Sequence, residues 1–433
     1  MTVRVASAAH LLPTMSKIPS GHPDALGPVA QGPATPRRRP VRTEKESWTK
    51  PGVAEVAAPS ESFTFKLKPR EIARHLDRFV IGQTEAKKVL GVALCDHFQH
   101  VRMTQEGVDA PFYQKQNVLL LGPTGVGKTH LIRSAAELIG VPFVKADATK
   151  FSETGYVGGD VDDLVRDLVR KAGGNVKQAE HGIIYLDEVD KLATRSEGGG
   201  RDVSGRGVQT NLLKLMEDGD VPLVSPNDMN AQIQNAMTAM RGNASAQPET
   251  INTRHILFIV SGAFAGMDQR IRSRMLTAAA TSGAVDVPSS ASKVSRLSTD
   301  ELFAEAMTSD FIQYGLEPEF VGRLPVRVAC HGLDADDLFN VLRRSESSLI
   351  RQYERAFSAY GIEVGFTDAG LRSLARMASQ ENTGARGLMT VCERVFRDLK
   401  FSLPSSKVRK FEVTPELVAD PRGTLRELLK GGR

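Results

Sequence analysis

NVLLLGPTGVGKT, residues 117–129, is an apolar run followed directly by a glycine-rich turn. The apolar run predicts a buried strand, and the turn fits the pattern GxxxxGK[ST] at the start of a helix over 129–139. Glycines let successive backbone N–H groups face a phosphate, and the helix N-terminus adds its partial positive charge. We therefore predict a nucleotide site in which Lys128 faces the β- and γ-phosphates and Thr129 supplies a ligand for Mg²⁺. Its residues are Gly122, Pro123, Thr124, Gly125, Val126, Gly127, Lys128 and Thr129.

A second apolar run, IIYLD at 183–187, ends in acidic residues. In an open parallel sheet, ligands lie beyond the carboxyl ends of the strands, which is where this run places Asp187. We predict that Asp187 holds Mg²⁺ through water and that Glu188 polarises the water that attacks the γ-phosphate of ATP. Taken alone, these acids would more simply cap the next helix. Together with the glycine-rich turn they favour an ATPase.

Short apolar runs alternate with helical sequence through most of the chain, which is typical of an α/β domain with a parallel sheet flanked by helices. The predicted strands are 117–121, 142–146, 182–186 and 255–260, and the first predicted helices are 69–79 and 84–101. Residues 219–253 and 277–297 lack a strong period, so we predict that both are long surface loops.

After Leu333 the apolar spacing becomes mainly helical. The predicted elements are helices within 334–358, 367–380 and 385–400 and a strand at 408–413. We predict a large nucleotide-binding domain at 62–330 and a small, mainly helical C-terminal domain at 331–433. Residues 1–60 hold nine of the 22 prolines and show no periodicity, so we predict a disordered basic tail at 1–61.

The distribution of charge and the spacing of the cysteines argue against several classes of protein. The net charge is +5, and residues 1–60 contribute +4 of it through eight Lys and Arg against four Asp and Glu. The rest is almost neutral, which argues against a nucleic-acid-binding body. No apolar run approaches the roughly 18 residues that a membrane helix needs. Cys95, Cys330 and Cys392 form no CxxC pair, which argues against a zinc site or a disulfide framework and fits a reducing compartment.

The N-terminal residues bear on the compartment. Residues 1–23 carry two basic residues and no acid, which weakly resembles a mitochondrial presequence, but three prolines interrupt any amphipathic helix there. A plain flexible extension is the simpler interpretation. We expect a cytoplasmic protein, with the mitochondrial matrix as the alternative.

Together these patterns resemble the AAA+ ATPases, P-loop NTPases, and in particular the ClpX family, ring-shaped unfoldases that feed proteins to the ClpP peptidase. The resemblance runs from about Ser62 to Phe411. Besides the two nucleotide motifs it rests on PREIARHLDRFVIGQTEAKKVL at 69–90, KADATKFSETGYVGGDV at 145–161, RDVSGRGVQTNLLKLME at 201–217, SGAFAGMD at 261–268, GLEPEFVGRLPV at 315–326 and TGARGL at 383–388.

The resemblance implies further roles around the nucleotide. Val80 and Ile81 match the segment that packs on adenine. Arg323 matches the arginine finger, which reaches the γ-phosphate held by the neighbouring subunit, and Arg386 matches the sensor-2 arginine. Both charges suit phosphoryl transfer, in which spreading negative charge must be neutralised. Because a finger acts across an interface, the resemblance implies a homo-hexamer. Without the family, either arginine would more simply be an ion-pair partner.

The resemblance also implies contact with protein substrates. Gly155, Tyr156, Val157 and Gly158 match the pore loop that grips unfolded or tagged polypeptide, and residues 201–209 match a second pore loop. An aromatic ring flanked by glycines offers a large contact surface on a flexible segment. A buried core tyrosine is the alternative.

The chain departs from the family at several places. The family's N-terminal zinc domain needs four cysteines, and none precedes Cys95, so we expect no zinc. The loop 219–253 lacks the family's Arg-Lys-His cluster, and the loop 277–297 lacks the aliphatic-Gly-Phe tripeptide that anchors ClpP. Gly159 and Arg206 stand where the family has acids. We therefore expect an unfoldase that works without standard ClpP docking.

Two other functions compete with this interpretation. A nucleic-acid motor or clamp-loader-like AAA+ ATPase is disfavoured by the near-neutral body and by an aromatic pore loop where such a motor needs Lys and Arg. A scaffold that binds ATP without hydrolysing it is disfavoured by the complete catalytic set. That set is Lys128, Asp187, Glu188, Arg323 and Arg386.

Overall fold

The computed structural model describes residues 63–108, 113–151, 159–193, 203–224, 250–281, 287–346 and 348–431. The predicted tail at 1–61 and the predicted pore loop at 155–158 lie outside these ranges. The strands in the described part are β1 Val118–Leu121, β2 Phe143–Asp147, β3 Ile183–Asp187, β4 Asp220–Pro222, β5 Thr250–Asn252, β6 Leu257–Gly262, β7 Val326–Ala329, β8 Glu363–Phe366 and β9 Lys410–Val413.

Five of these strands form one parallel sheet in the order β2–β3–β6–β1–β7. In this order only β6 separates β1 from β3. Because the strands are parallel, the glycine-rich turn after β1 and the acids after β3 both lie at the carboxyl-end edge of the sheet. The predicted parallel α/β sheet is therefore confirmed, and each of the four predicted strands lies within one or two residues of its predicted bounds.

The central strands are apolar on both faces because helices cover both faces of the sheet. Side chains alternate between two cores, as the two-residue period of a strand requires. In β1, Leu119 and Leu121 enter one core while Val118 and Leu120 enter the other. The helices described before β7 are Pro69–Asp77, Thr84–Gln105, Lys128–Ile139, Asp163–Lys171, Val176–Ala179, Val203–Met216, Met267–Thr281, Val287–Arg296, Thr299–Ala304, Thr308–Tyr314 and Pro318–Gly322.

The C-terminal residues have a third core of their own. Buried side chains between Leu338 and Leu425 make up this core, and β8 pairs with β9 in a small parallel sheet beside it. The helices here are Ala335–Arg344, Leu349–Ser358, Asp368–Gln380, Ala385–Ser402, Pro415–Ala419 and Pro421–Gly431. In the described ranges, no helix combines the length and the apolar character that crossing a membrane requires.

The predicted loop at 277–297 is wrong for most of its length. The helix Met267–Thr281 extends into it, and the helix Val287–Arg296 occupies its second half. Alanine, which is frequent in this segment, has the highest helix propensity. The Thr277 hydroxyl donates to the Ser273 carbonyl oxygen at 2.9 Å, so this polar group has its partner within the helix. Arg272 then donates to the carbonyl of Val294 at 2.7 Å, which ties the two helices together.

Four short strands were also outside the prediction. The ends of the predicted loop 219–253 are β4 and β5, an antiparallel pair; residues 225–249 lie outside the described ranges. The edge strand β7 was missed because it is short and carries a charge: Arg327 turns back to donate to the Leu324 carbonyl at 3.0 Å. The strand β8 was missed because four residues between two helices carry little periodicity.

Candidate nucleotide-binding site

The glycine-rich turn joins β1 to the helix Lys128–Ile139. Gly122, Gly125 and Gly127 have φ angles of +132°, +77° and +95°, in the region that only glycine adopts readily. Space imposes the same requirement, since a Cβ at Gly122 would lie 2.2 Å from the carbonyl oxygen of Cys330. Neither Gly122 nor Gly125 can therefore be replaced by a larger residue without a shift of the backbone.

Lys128 is buried beneath this turn, with 8% of the residue exposed. Its Nζ donates to the carbonyl oxygens of Gly122 at 2.6 Å and of Pro123 at 2.9 Å. Burial lowers the pKa of Lys128, while Asp187 and Asp190 oppose the shift. An ammonium group held by neutral carbonyls can exchange them for an anionic oxygen, which makes a stronger hydrogen bond.

Asp187 ends β3 within a network of donors. Its Oδ1 accepts from Ser261 at 2.6 Å, and Ser261 accepts from the Tyr185 hydroxyl at 2.7 Å. Its Oδ2 lies 3.3 Å from Lys145 Nζ and accepts from the Thr129 hydroxyl at 3.4 Å. Burial raises the pKa of Asp187, but the Ser261 hydrogen bond and the Lys145 charge together outweigh it and hold the pKa below its usual value. The carboxylate is therefore ionised at neutral pH.

Glu188 follows in an unusual backbone conformation. Its φ is +61°, a left-handed value that costs a non-glycine residue about 1–3 kcal/mol and is often retained at functional sites. The side chain lines the same cleft as Lys128 and Thr129. The predicted catalytic acid and the predicted phosphate-binding residues are therefore brought together.

This cleft has a volume of about 620 Å³ and is lined from both parts of the chain. The first part contributes the glycine-rich turn and the acids, and the C-terminal part contributes Arg386 from the first turn of the helix Ala385–Ser402. The Ala385 N–H donates to the Gly125 carbonyl at 2.8 Å. A Cβ at Gly384 would lie 2.7 Å from that same carbonyl oxygen. Close backbone contact between the two segments thus places Arg386 in the cleft.

The contact between these segments can be tested with a pair of glycine variants. Gly125→Ala is expected to lower the free energy of unfolding by about 2–4 kcal/mol, because a left-handed φ is combined with overpacking. The new Cβ would lie 2.1 Å from the Thr383 carbonyl oxygen. Gly140→Ala is the matched control: its φ is +78°, but nothing lies within 4 Å of its Cβ position, so about 1–2 kcal/mol is expected. Urea denaturation followed by far-ultraviolet circular dichroism measures both, and equal losses would contradict the close contact.

Arg323, the predicted arginine finger, lies apart from this cleft. It caps the helix Pro318–Gly322, and its carbonyl oxygen accepts from the buried Asn117 side chain at 3.0 Å. Its guanidinium donates to Glu217 Oε1 at 2.5 Å, and both side chains are partly exposed. It is not among the residues that line the cleft.

The predicted adenine segment lies beside the turn. Val80 is buried, and its Cγ1 is 3.2 Å from the position of a Cβ on Gly127. Ile81 is half-buried. Neither residue lines the cleft, and neither do Gly122, Pro123 and Val126.

Three residues of the site had no role in the sequence analysis. Ser261 and Lys145 contact Asp187, and the buried Asp190 accepts from the Ala263 N–H at 3.3 Å beside the cleft. Lys145 and Ser261 lie in quoted motifs, and Asp190 follows the strand 183–187. A hydrogen bond between Ser261 and Asp187 could be anticipated only from the register of β3 and β6, which the sequence does not state.

The residues present fit a nucleotide with Mg²⁺. Mg²⁺ usually takes one or two carboxylates together with phosphate oxygens and water, rather than a cage of protein ligands. Asp187 and Thr129 supply an ionised carboxylate and a neighbouring hydroxyl. Within the described part of the chain, no cluster of three or more His, Cys, Asp and Glu side chains is arranged to hold a metal ion.

Comparison with known proteins identifies the family. Residues 113–327 match the AAA domain of the Cdc48 subfamily. Three relatives have the same designation, ATP-dependent Clp protease ATP-binding subunit ClpX. The Methylococcus capsulatus protein, ClpX 3, is 37% identical over 361 residues, covering 81% of this chain and 80% of that protein. The Treponema denticola protein is 38% identical (79% and 79% coverage), and the Azotobacter vinelandii protein is 39% identical (78% and 74%). The chain therefore belongs to the ClpX family of AAA+ ATPases, enzymes that use ATP and Mg²⁺ and couple ATP hydrolysis to protein unfolding.

Proposed function

We propose that the chain assembles into a homo-hexameric ring and threads polypeptide through its central pore, with ATP hydrolysed at each cleft. The observation that carries this proposal is the cleft in which Lys128, Asp187, Glu188 and Arg386 meet while Arg323 lies outside it. Of the predicted catalytic set, the cleft lacks only the arginine finger. In the proposed ring, Arg323 of a neighbouring subunit supplies it.

Each residue has a distinct proposed role in turnover. When bound, Mg²⁺ supplies a Lewis acid that neutralises charge on the phosphates. Thr129 and Asp187 hold the ion, the latter through water, and Lys128 and Arg386 neutralise the phosphate oxygens. Glu188 orients the attacking water and accepts its proton. The turn 122–129 holds the phosphates with its backbone N–H groups, and Val80 and Ile81 pack on the adenine.

Substrate contact is proposed for Tyr156 in the segment 155–158. The second pore-loop segment is partly described: Arg206 Nε lies 3.2 Å from Glu317 Oε1, so the basic residue at this departure from the family is ion-paired within the chain. We propose that unfolded or tagged proteins are the substrates and that nucleic acid is not. The near-neutral charge outside the tail supports this choice over a nucleic-acid motor.

Tyr156→Ala is expected to reduce the rate of unfolding of a tagged fluorescent protein by about tenfold or more, because a large aromatic contact on the moving chain is lost. Tyr360→Ala is the control, since Tyr360 is 60% exposed on the C-terminal part of the chain. The decisive comparison is the loss of fluorescence per ATP hydrolysed. A parental ratio in Tyr156→Ala, or ATPase stimulation by DNA instead of unfolded protein, would contradict the proposal.

The segment 277–297 lacks the tripeptide that anchors ClpP in the family. We propose that the ring works without standard ClpP docking, and co-sedimentation with ClpP in ATP would refute this.

We place the ring in the cytoplasm, since the relatives reported are bacterial and lend no support to the mitochondrial alternative. The third core supports a domain division near residue 330.

A further inference from the structure

Lys145 lies directly at the proposed magnesium site. It is on β2, in register with Tyr185 of the neighbouring β3. Its Nζ donates to the Thr129 hydroxyl at 3.3 Å and lies 3.3 Å from Asp187 Oδ2. Its side chain is 37% exposed, so the ammonium reaches the site from its solvent side.

The two oxygens that Lys145 contacts are the two that we propose for Mg²⁺. An ammonium group and a divalent cation repel each other, and both need the same oxygens: the metal would bind Thr129 directly and Asp187 through a water molecule that donates to the carboxylate. We propose that Lys145 is the internal counter-ion of the magnesium site: it occupies Asp187 and Thr129 in the absence of metal and leaves them when the ion binds. This inference rests on the metal-binding role proposed above for those two residues.

The surroundings of Asp187 explain why a counter-ion is useful there. The carboxylate is largely buried, with 16% of its side chain exposed, and a buried charge is costly unless it is paired. Ser261 gives Oδ1 a neutral donor, whereas Lys145 gives Oδ2 a positive charge. The carboxylate therefore stays ionised and oriented before metal arrives.

The same geometry makes Lys145 easy to displace. Its contacts are 3.3 Å long, longer than the roughly 2.7–2.9 Å of strong charge-assisted hydrogen bonds. Lysine carries its charge on a flexible four-carbon stem, so the group can move to solvent or to a phosphate without a backbone change. The free energy needed to displace Lys145 makes the free energy of metal binding less favourable, so Lys145 weakens the affinity of the site for the metal.

The experiment replaces this charge and measures metal binding directly. In Lys145→Met, Mn²⁺ is expected to bind the ADP complex about twofold to fivefold more tightly, the upper part of the range that an exposed ion pair allows. Electron paramagnetic resonance of free Mn²⁺ gives the dissociation constant without any turnover. Lys145→Arg, which keeps the charge, is expected to show much less tightening. Lys177→Met, an exposed lysine on the helix Val176–Ala179, controls for the change in net charge.

The outcomes separate this inference from the proposed site itself. Unchanged or weaker Mn²⁺ binding in Lys145→Met would overturn the inference, and Lys145→Gln provides a second neutral variant should the first fail to fold by circular dichroism. Asp187→Asn is expected to weaken Mn²⁺ binding strongly. If it does not, the metal site is assigned to the wrong residues. If it does, and neither neutral variant tightens binding, only the role of Lys145 is wrong.

Discussion

Glu188→Gln is expected to bind ATP like the parent chain and to hydrolyse it about 100-fold to 10,000-fold more slowly, the range for loss of a general base. Glutamine keeps the size of the side chain but cannot accept the proton of the attacking water. In the described contacts, Glu188 holds the cleft through its backbone N–H, which donates to Asp187 Oδ1 at 3.2 Å. The substitution leaves that backbone contact in place, so nucleotide binding should survive.

Binding of a fluorescent ATP analogue and single-turnover hydrolysis measure the two steps separately. Glu85→Gln makes the same chemical change on the exposed face of the helix Thr84–Gln105 and should have parental kinetics. The slow variant should also retain clients and partners in a pull-down. Parental turnover by Glu188→Gln would assign water activation to another residue.

Arg323→Ala is expected to lower the ATP turnover number by about 1,000-fold or more, because an arginine finger contributes about that much to phosphoryl transfer. Nucleotide binding within the same subunit should be much less affected, because Arg323 does not line its own cleft. Arg254→Ala is the control, an exposed arginine whose ion pair with Asp218 is 4.0 Å long.

Mixing the two inactive variants tests action between subunits. A subunit with Arg323→Ala keeps Glu188, and a neighbour with Glu188→Gln keeps Arg323. Mixed rings should therefore regain turnover at those interfaces, with a maximum at intermediate ratios. If mixed assemblies form and no turnover returns, Arg323 does not act across the interface.

The parts of the site that could be predicted are those that one residue type or one short pattern specifies. Glycines that need a positive φ and an apolar run that ends in acids are local signals, so the turn 122–129 and the position of Asp187 could be predicted. The resemblance added Arg386, which does line the cleft. The helices over 277–297 were missed because an Ala, Ser and Thr composition has no apolar period.

The remaining features depend on pairing between distant segments. Ser261 and Lys145 reach Asp187 only because β6 and β2 both lie next to β3 in the sheet, an order that no local pattern specifies. The pairing of Arg323 with Glu217 joins residues 106 positions apart, and it depends on how two surface helices end. Such contacts are decided by topology rather than by composition.

The contact of Gly125 with Gly384 and Ala385 has a mechanical consequence. The helix that begins at Ala385 has 18 residues, so it is roughly 27 Å long. A tilt of about 5° at its first turn, where Arg386 meets the cleft, moves its last turn by roughly 2 Å. Phe401, 86% exposed, lies at that far end. A small adjustment of Arg386 beside the nucleotide would therefore be magnified at the exposed end of this helix.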